Sequence, residues 1–288
     1  MMCLERASLR RNLNSRWTRL CGLVLAVTLV LALRPAAAGS GDWISRDHSA
    51  VRLLHGGAAG EVHMAGVEFV LGDGWKTYWR MPGESGVPAE FDWSGSLNVA
   101  SVAVAWPAPR RMHDAAGEGV GYKGHVVFPL AVKLDQPGRP ARLDLKLFYA
   151  VCKDICVPAS AELSLDLGAT GPDRADIDLI RHYQALVPAE DTDGRGILAA
   201  APRMIAGKPY LVVTVASGLA AGGQADIFVE GSDKAYFRQP QAGTETVAGR
   251  DYLLPVDGIA DAAALSGLAL RITWVAGDKG LFRDLEVE

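Results

Sequence analysis

The chain has only four cysteines among its 288 residues, and it has no long apolar run after residue 38. Beyond that residue no segment approaches the roughly eighteen continuous apolar residues that indicate a membrane-spanning helix. We therefore expect the chain after residue 38 not to span a membrane. A nucleophile elbow with a supporting triad is also missing, which argues against a Cys–His hydrolase.

An excess of basic charge is missing as well. Residues 1–38 contain six arginines and one glutamate, and the remainder carries 23 basic and 32 acidic side chains, a formal charge of −9. An acidic surface repels the phosphate backbone of nucleic acids. The composition therefore predicts no nucleic-acid partner.

The first 38 residues have the three parts of a secretory signal peptide. Five arginines precede a largely apolar run from Leu20 to Leu33, and the small residues Ala36-Ala37-Ala38 follow. The alternative is a membrane anchor, but a helix of this run would be about 21 Å long, short of a hydrocarbon layer about 30 Å thick. The pattern predicts cleavage after residue 38 and export to the periplasm.

Alternation of apolar and polar residues with a period of two dominates the rest of the chain and indicates half-buried strands. Glycine- and proline-rich turns separate these segments, as in β-sandwiches. The predicted strands are residues 51–54, 61–71, 90–93, 99–106, 125–134, 143–149, 163–167, 210–215, 225–230, 252–256, 268–275 and 281–287.

One segment departs from this pattern. Ile177, Ile180, Tyr183 and Val187 recur at helical spacing and predict a short amphipathic helix that ends before Pro188.

A chain of this length suits two domains rather than one small core. The sequence predicts an all-β protein with one β-sandwich over residues 39–168, a helical connector over residues 169–195 and a second β-sandwich over residues 196–288.

Two cysteines remain after residue 38, Cys152 and Cys156, and an even number in an oxidising compartment can form a disulfide. Four residues of straight strand cover about 13 Å, whereas a disulfide needs Cα atoms within about 7 Å. The chain must therefore fold back through Lys153-Asp154-Ile155, near a sheet edge that another protein can reach.

The charges in this turn have opposite effects on the cysteines, because Lys153 favours a thiolate and Asp154 opposes it. Pro158 is expected where the strand pairing stops.

The simplest alternative is a structural disulfide. Chain-entropy arguments give so short a loop only roughly 2 kcal/mol, against about 4.7 for a 100-residue loop, so a redox role is favoured. A second alternative is Cu(I) binding, because two thiolates suit that ion and His113 or His125 could add a nitrogen ligand. None of the six histidines is adjacent to a cysteine in the sequence.

Three segments carry a family resemblance: Phe148 to Pro158, Gly74 to Arg80, and His113 to Tyr122. They resemble the N-terminal periplasmic domain of DsbD, a transmembrane thiol–disulfide interchange reductase. The resemblance implies an immunoglobulin-like fold without a cofactor. It also implies a relay of electrons between a membrane-embedded thiol reductase and periplasmic thioredoxin-like proteins.

By the same resemblance Cys152 and Cys156 are the catalytic, exchanging pair, of which one forms a mixed disulfide and the other resolves it. Three residues separate them, where the best-known members have five. This shorter spacing is closer to a branch linked to copper tolerance and to N-terminal regions with two sandwiches. The membrane segment and the thioredoxin-like end of the full reductase are absent, so we expect electrons to be exchanged with separate proteins.

Members of the family cover their cysteines with a cap loop that bears an aromatic ring. The matching stretch, Asp114 to Val120, consists mostly of small residues, and Tyr122 is the nearest ring. Tyr78 and Trp79 are further candidates for shielding the sulfurs, with a place in the core as the alternative.

The sequence thus predicts a periplasmic thiol–disulfide interchange module. The alternatives are a non-catalytic envelope adaptor with a structural disulfide and a Cu(I)-binding protein.

Overall fold

The computed structural model describes residues 39–83, 86–114, 117–168, 171–220, 225–247 and 249–288, and residues 39–288 belong to one compact unit. The predicted signal peptide, residues 1–38, lies outside the described residues. Within the described ranges, none of the helices combines the length and hydropathy that crossing a bilayer requires.

Strands make up most of the regular structure. In the first half of the chain they are β1 (Ile44–Arg46), β2 (Ser49–Ala59), β3 (Val62–Leu71), β4 (Lys76–Gly83), β5 (Glu90–Asp92), β6 (Val99–Val104), β7 (Arg110–Asp114), β8 (Gly117–Lys123), β9 (His125–Leu134), β10 (Arg142–Cys152) and β11 (Cys156–Asp166). In the second half they are β12 (Ala189–Glu190), β13 (Ile197–Ile205), β14 (Lys208–Ala216), β15 (Asp226–Glu230), β16 (Tyr236–Phe237), β17 (Gln241–Glu245), β18 (Gly249–Asp257), β19 (Ala269–Ala276) and β20 (Lys279–Glu286). The helices are α1 (Arg174–Ala185), α2 (Ser217–Ala220) and a 3₁₀ turn at Ala262–Leu265.

The first eleven strands form two sheets that share one core. One sheet has the order β1-β2-β3-β9-β6, and the other has the order β11-β10-β4-β8-β7 with β5 added beside β10. Inward-facing apolar side chains of both sheets pack together, for example Phe69 of β3 edge-on against Tyr149 of β10 with ring centroids 5.1 Å apart. This is the β-sandwich that the alternating pattern predicts.

The hairpin β10–β11 is paired without interruption from Arg142 opposite Asp166 to Cys152 opposite Cys156. Strand β11 is the edge strand of its sheet. Pro158 differs from expectation because it pairs with Ala150 inside the ladder rather than at its end. Proline is tolerated in a strand at a sheet edge, where a missing N–H need not break a ladder on both sides.

The stretch from Asp114 to Val120, which the family resemblance matches to a cap loop, is mostly strand. Strands β7 and β8 pair from Arg110 opposite Gly121 to Asp114 opposite Gly117. Gly121 faces β4 so closely that a Cβ atom would overlap the carbonyl oxygen of Thr77. The glycines of β8 therefore permit close approach between strands.

The second half repeats the sandwich plan. One sheet has the order β12-β20-β19-β15 and the other has the order β13-β14-β18-β16, with β17 also paired to β18. A separate core lies between them and includes Ile272, Trp274 and Leu254. The observed architecture confirms the all-β, two-sandwich prediction with a short helical connector, while the domain boundaries remain a prediction.

Helix α1 connects the two halves and covers part of the first sheet. Asp173 caps its N-terminus by accepting a hydrogen bond from the Ala175 backbone N–H at 3.0 Å. Ile180 packs against Leu54 and Val127, which lie on the face of that sheet away from the shared core. The helical spacing of apolar residues therefore reflects this contact.

The two sandwiches are joined by buried and partly buried ion pairs. Arg111 of β7 forms ion pairs with Glu118 of β8 and, at 3.0 Å, with Asp226 of β15. Arg80 donates two hydrogen bonds to Glu230, both 2.7 Å long. The sheet that carries β4 and β8 is therefore attached to the second sandwich through charged groups.

Candidate functional site

The two cysteines form a disulfide at the end of the β10–β11 ladder. Cys152 is 1% exposed, whereas Cys156 is exposed. Cys152 belongs to a small cluster with Tyr78 and Ala150 that is separate from the main core, while the adjacent Val151 points into that core. The disulfide therefore lies on the outer face of its sheet, with one cysteine buried and the other exposed.

The three-residue turn between the cysteines has the predicted fold-back. The Lys153 backbone N–H donates to the Ile155 carbonyl at 3.0 Å, and the Lys153 Nζ reaches the Asp73 carbonyl at 3.4 Å. Asp154 is exposed at the tip. Ile155 is 67% exposed. The turn thus presents an apolar side chain next to the exposed Cys156.

Tyr78 covers the disulfide from the neighbouring strand. Its ring is 1% exposed, and its Oη donates to Cys156 Sγ at 3.8 Å. Burial raises the pKa of the Tyr78 phenol above its ordinary value. The hydroxyl therefore stays protonated at neutral pH and can act as a donor to sulfur.

The other two aromatic candidates lie elsewhere. Trp79, the next residue in β4, is fully buried in the main core, and its ring lies 5.6 Å from that of Phe228 in the second sandwich. Tyr122 donates to the Pro107 carbonyl at 2.8 Å from within the same core. Neighbouring residues of a strand point to opposite faces, so Tyr78 is on the disulfide side and Trp79 is not. Trp79 and Tyr122 therefore lie in the core, the place that the sequence analysis gave as the alternative for Trp79.

Lys76 is a site residue that the sequence analysis did not identify. It pairs with Cys152 across β4 and β10 and is only 3% exposed. Burial, reinforced by the charge of Lys123, lowers the pKa of its ammonium group. Because Lys76 and Tyr78 are two residues apart, a strand prediction would have placed both side chains on one face of β4. The sequence does not show that this face lies next to the cysteines, which follows only from the pairing of β4 with β10.

The two candidate histidine ligands are engaged with carboxylates. His113 Nε2 lies 3.2 Å from Glu118, and His125 Nε2 lies 2.8 Å from Glu68. Among the residues that the structure describes, no group of three or more His, Cys, Asp or Glu side chains is arranged to hold a metal ion. The geometry at the cysteines is instead suited to thiol–disulfide exchange, which requires one accessible sulfur and a second sulfur close to it.

Comparison with known proteins gives a consistent result. Residues 49–167 match the family described as thiol:disulfide interchange protein DsbD, N-terminal. Among solved structures, the chain is similar to the crystal structure of the N-terminal periplasmic domain of ScsB from Proteus mirabilis, with a TM-score of 0.66 and 25% sequence identity over 87% of this chain and 99% of that one. No curated protein sequence matches the chain.

Proposed function

We propose that the protein is a periplasmic thiol–disulfide interchange module, and the match of residues 49–167 to the DsbD N-terminal family supports this proposal. Its Cys152–Cys156 pair passes electrons to or from separate thiol-redox proteins. The observation that carries the proposal is the unequal exposure of the two cysteines at the end of one hairpin. The similar ScsB region is itself a periplasmic domain, which supports the location.

In the reduced protein the Cys156 thiolate attacks one sulfur of the partner's disulfide. A bond forms between Cys156 and that sulfur, and the partner's other sulfur leaves as a thiolate. Cys152 then attacks Cys156 Sγ, re-forms the internal disulfide and releases the partner as a dithiol. Two electrons move from this protein to the partner, and the reverse sequence with a reduced donor restores the dithiol.

Cys156 takes the intermolecular role because it is the exposed residue of the pair and Cys152 is buried. The covered Cys152 can reach a sulfur that is already bound to Cys156, since the two residues pair directly. Ile155, exposed beside Cys156, supplies an apolar contact for a partner. We assign the electron donor to a membrane-embedded thiol reductase and the acceptors to periplasmic thioredoxin-like proteins, as the family implies.

The deciding measurement is the reduction potential of the pair, obtained by equilibration in glutathione buffers followed by thiol trapping. We expect a value between about −120 and −270 mV, the range of known exchange proteins. A value below about −300 mV would identify a structural bond. The chain would then be a non-catalytic envelope adaptor.

A further inference from the structure

Among the described residues, strand β4 pairs with its own sheet at its two ends. Its ladder with β8 contains residues 76–78 and resumes at Gly83 after a register shift. Its ladder with β10 consists of Lys76 opposite Cys152, and beyond that pair β5 takes the place beside β10. The strand that begins at the disulfide therefore departs from regular sheet pairing directly after residue 78.

The second sandwich holds the part of β4 between these two ends. Arg80 donates two hydrogen bonds to Glu230 of β15, one from Nε and one from Nη2, both 2.7 Å long. A guanidinium and a carboxylate joined by two such bonds have a fixed relative orientation. The ring of Trp79 is 0% exposed and lies 5.6 Å from the ring of Phe228, which also belongs to β15. Strand β15 therefore contacts β4 where the pairing with β8 is interrupted.

Tyr78 lies at the point where β4 changes from one support to the other. Its ring packs with Cys152, and its hydroxyl is 3.8 Å from Cys156 Sγ. The side chains of Arg80 and Glu230 are 28% and 16% exposed, so their ion pair is partly shielded from solvent. Because two planar peptide units join Arg80 to Tyr78, a displacement of the arginine moves the backbone that carries the tyrosine.

We propose that Glu230 is a positioning residue that, through Arg80, keeps the Tyr78 ring over the disulfide. The second sandwich thereby sets how readily a thiolate reaches the disulfide. This inference rests on the proposed function and adds to it a role for the second half of the chain. Loss of the ion pair frees the middle of β4, and the population of molecules with an uncovered disulfide rises.

The test is the rate at which glutathione reduces the disulfide at fixed pH. One glutathione thiolate opens the bond, and a second one releases the protein as a dithiol together with glutathione disulfide. We expect Glu230→Gln to speed this reaction about fivefold, because the loss of one charge weakens a pair that favours the covered state. Glu245→Gln is the matched control, since it removes the same charge from a more exposed ion pair with Arg250 inside the second sandwich. The control should react at the original rate.

A second background separates positioning from a general loss of stability. In Tyr78→Ala the cover is absent, so the addition of Glu230→Gln should change the reduction rate by less than about twofold. A substitution that only loosens the fold would give the same increase with and without Tyr78. Such an equal increase would overturn the inference, as would equal rates for Glu230→Gln and Glu245→Gln.

Arg80 allows the same pair to be tested from the first sandwich. Arg80→Met should match Glu230→Gln, and the variant with both changes should react no faster than either, because each breaks the same contact. Arg80→Lys keeps the charge but loses the fork of two donors, so its rate should lie between those of Arg80→Met and the unsubstituted protein. These variants keep the inference testable if Glu230→Gln does not fold. An unchanged rate in Arg80→Met would contradict it.

The two proposals fail in different ways. A reduction potential in the range of structural bonds would contradict the proposed function, whatever the rates of the variants. The potential is an equilibrium quantity and does not depend on access to the sulfurs, so the two measurements are independent. With a potential in the range of exchange proteins, equal reduction rates in Glu230→Gln and Glu245→Gln would contradict only the role of Glu230.

Discussion

Cys152 and Cys156 are opposite each other in the last pair of the β10–β11 ladder, but only Cys156 is open to solvent. Cys152 is covered by Tyr78 and by the strand that carries Lys76. Two sulfurs that share a covalent bond thus have different environments. A partner protein can therefore contact Cys156 before Cys152.

This asymmetry predicts different trapping by the two single-cysteine variants. Cys152→Ala leaves the exposed sulfur without a resolving partner, so its mixed disulfide with a thioredoxin-like protein should accumulate. Cys156→Ala leaves only the covered sulfur and should trap at least about tenfold less. Non-reducing electrophoresis measures both, and equal trapping would contradict the assignment of Cys156 as the intermolecular cysteine.

Tyr78 should control access of small reductants to the disulfide. Tyr78→Ala removes the ring over the sulfurs, and we expect reduction by glutathione to become about tenfold faster because access sets the rate of exchange. Tyr78→Phe keeps the ring and removes only the hydroxyl near Cys156. It should react at nearly the original rate, and a rate as high as that of Tyr78→Ala would show that the hydroxyl, not the ring, protects the bond.

Arg111 should contribute strongly to stability because its side chain is 5% exposed between Glu118 and Asp226. Arg111→Met leaves two carboxylates without this cation, and the free energy of unfolding should fall by about 3 kcal/mol. Arg271→Met is the control, since that arginine pairs with Asp284 where both side chains are largely exposed, and it should cost under about 1 kcal/mol. Urea unfolding measures both, and equal losses would contradict the importance of burial.

Glu68 should make part of the stability dependent on acid pH. Burial favours its protonated form, but hydrogen bonds and charges of His125 and Arg52 outweigh that effect and lower the Glu68 pKa below 4.5. A carboxyl group whose folded-state pKa is lowered stabilises the fold above its unfolded-state pKa, and this contribution is lost as the pH falls through the folded-state value.

The corresponding experiment compares urea midpoints of the unsubstituted protein and Glu68→Gln between about pH 5 and pH 3. Glutamine does not titrate, so the variant should lose less stability than the unsubstituted protein as the pH falls. Parallel losses in the two proteins would contradict this contribution of Glu68.

Sequence patterns predicted the strands that have one buried face. In β10 and β11 apolar residues alternate with polar ones because one face packs in the core and the other meets solvent. The turn between Cys152 and Cys156 followed from the reach of an extended chain. The hairpin that carries the cysteines was therefore predictable from local information.

The strand that covers the disulfide was not predictable in this way. In β4, Lys76, Thr77, Tyr78 and Trp79 are all buried, so each face carries one polar and one aromatic residue and the apolar–polar alternation of a half-buried strand is missing. At the start of β8 the family resemblance indicated a cap loop, whereas the glycines there allow close packing against β4. The pairing of Lys76 with Cys152 depends on the register between distant strands, which no local pattern specifies.

The core of the first sandwich includes Phe228 and Val275, two residues from the second half of the chain. A chain that enters the periplasm from its N-terminus therefore cannot complete this core when only the family-matched stretch has emerged. Trp79 gains its neighbour Phe228 only after about 150 further residues have crossed the membrane. Until then the first half would expose an apolar surface, so we expect folding of the first sandwich to be completed late in export.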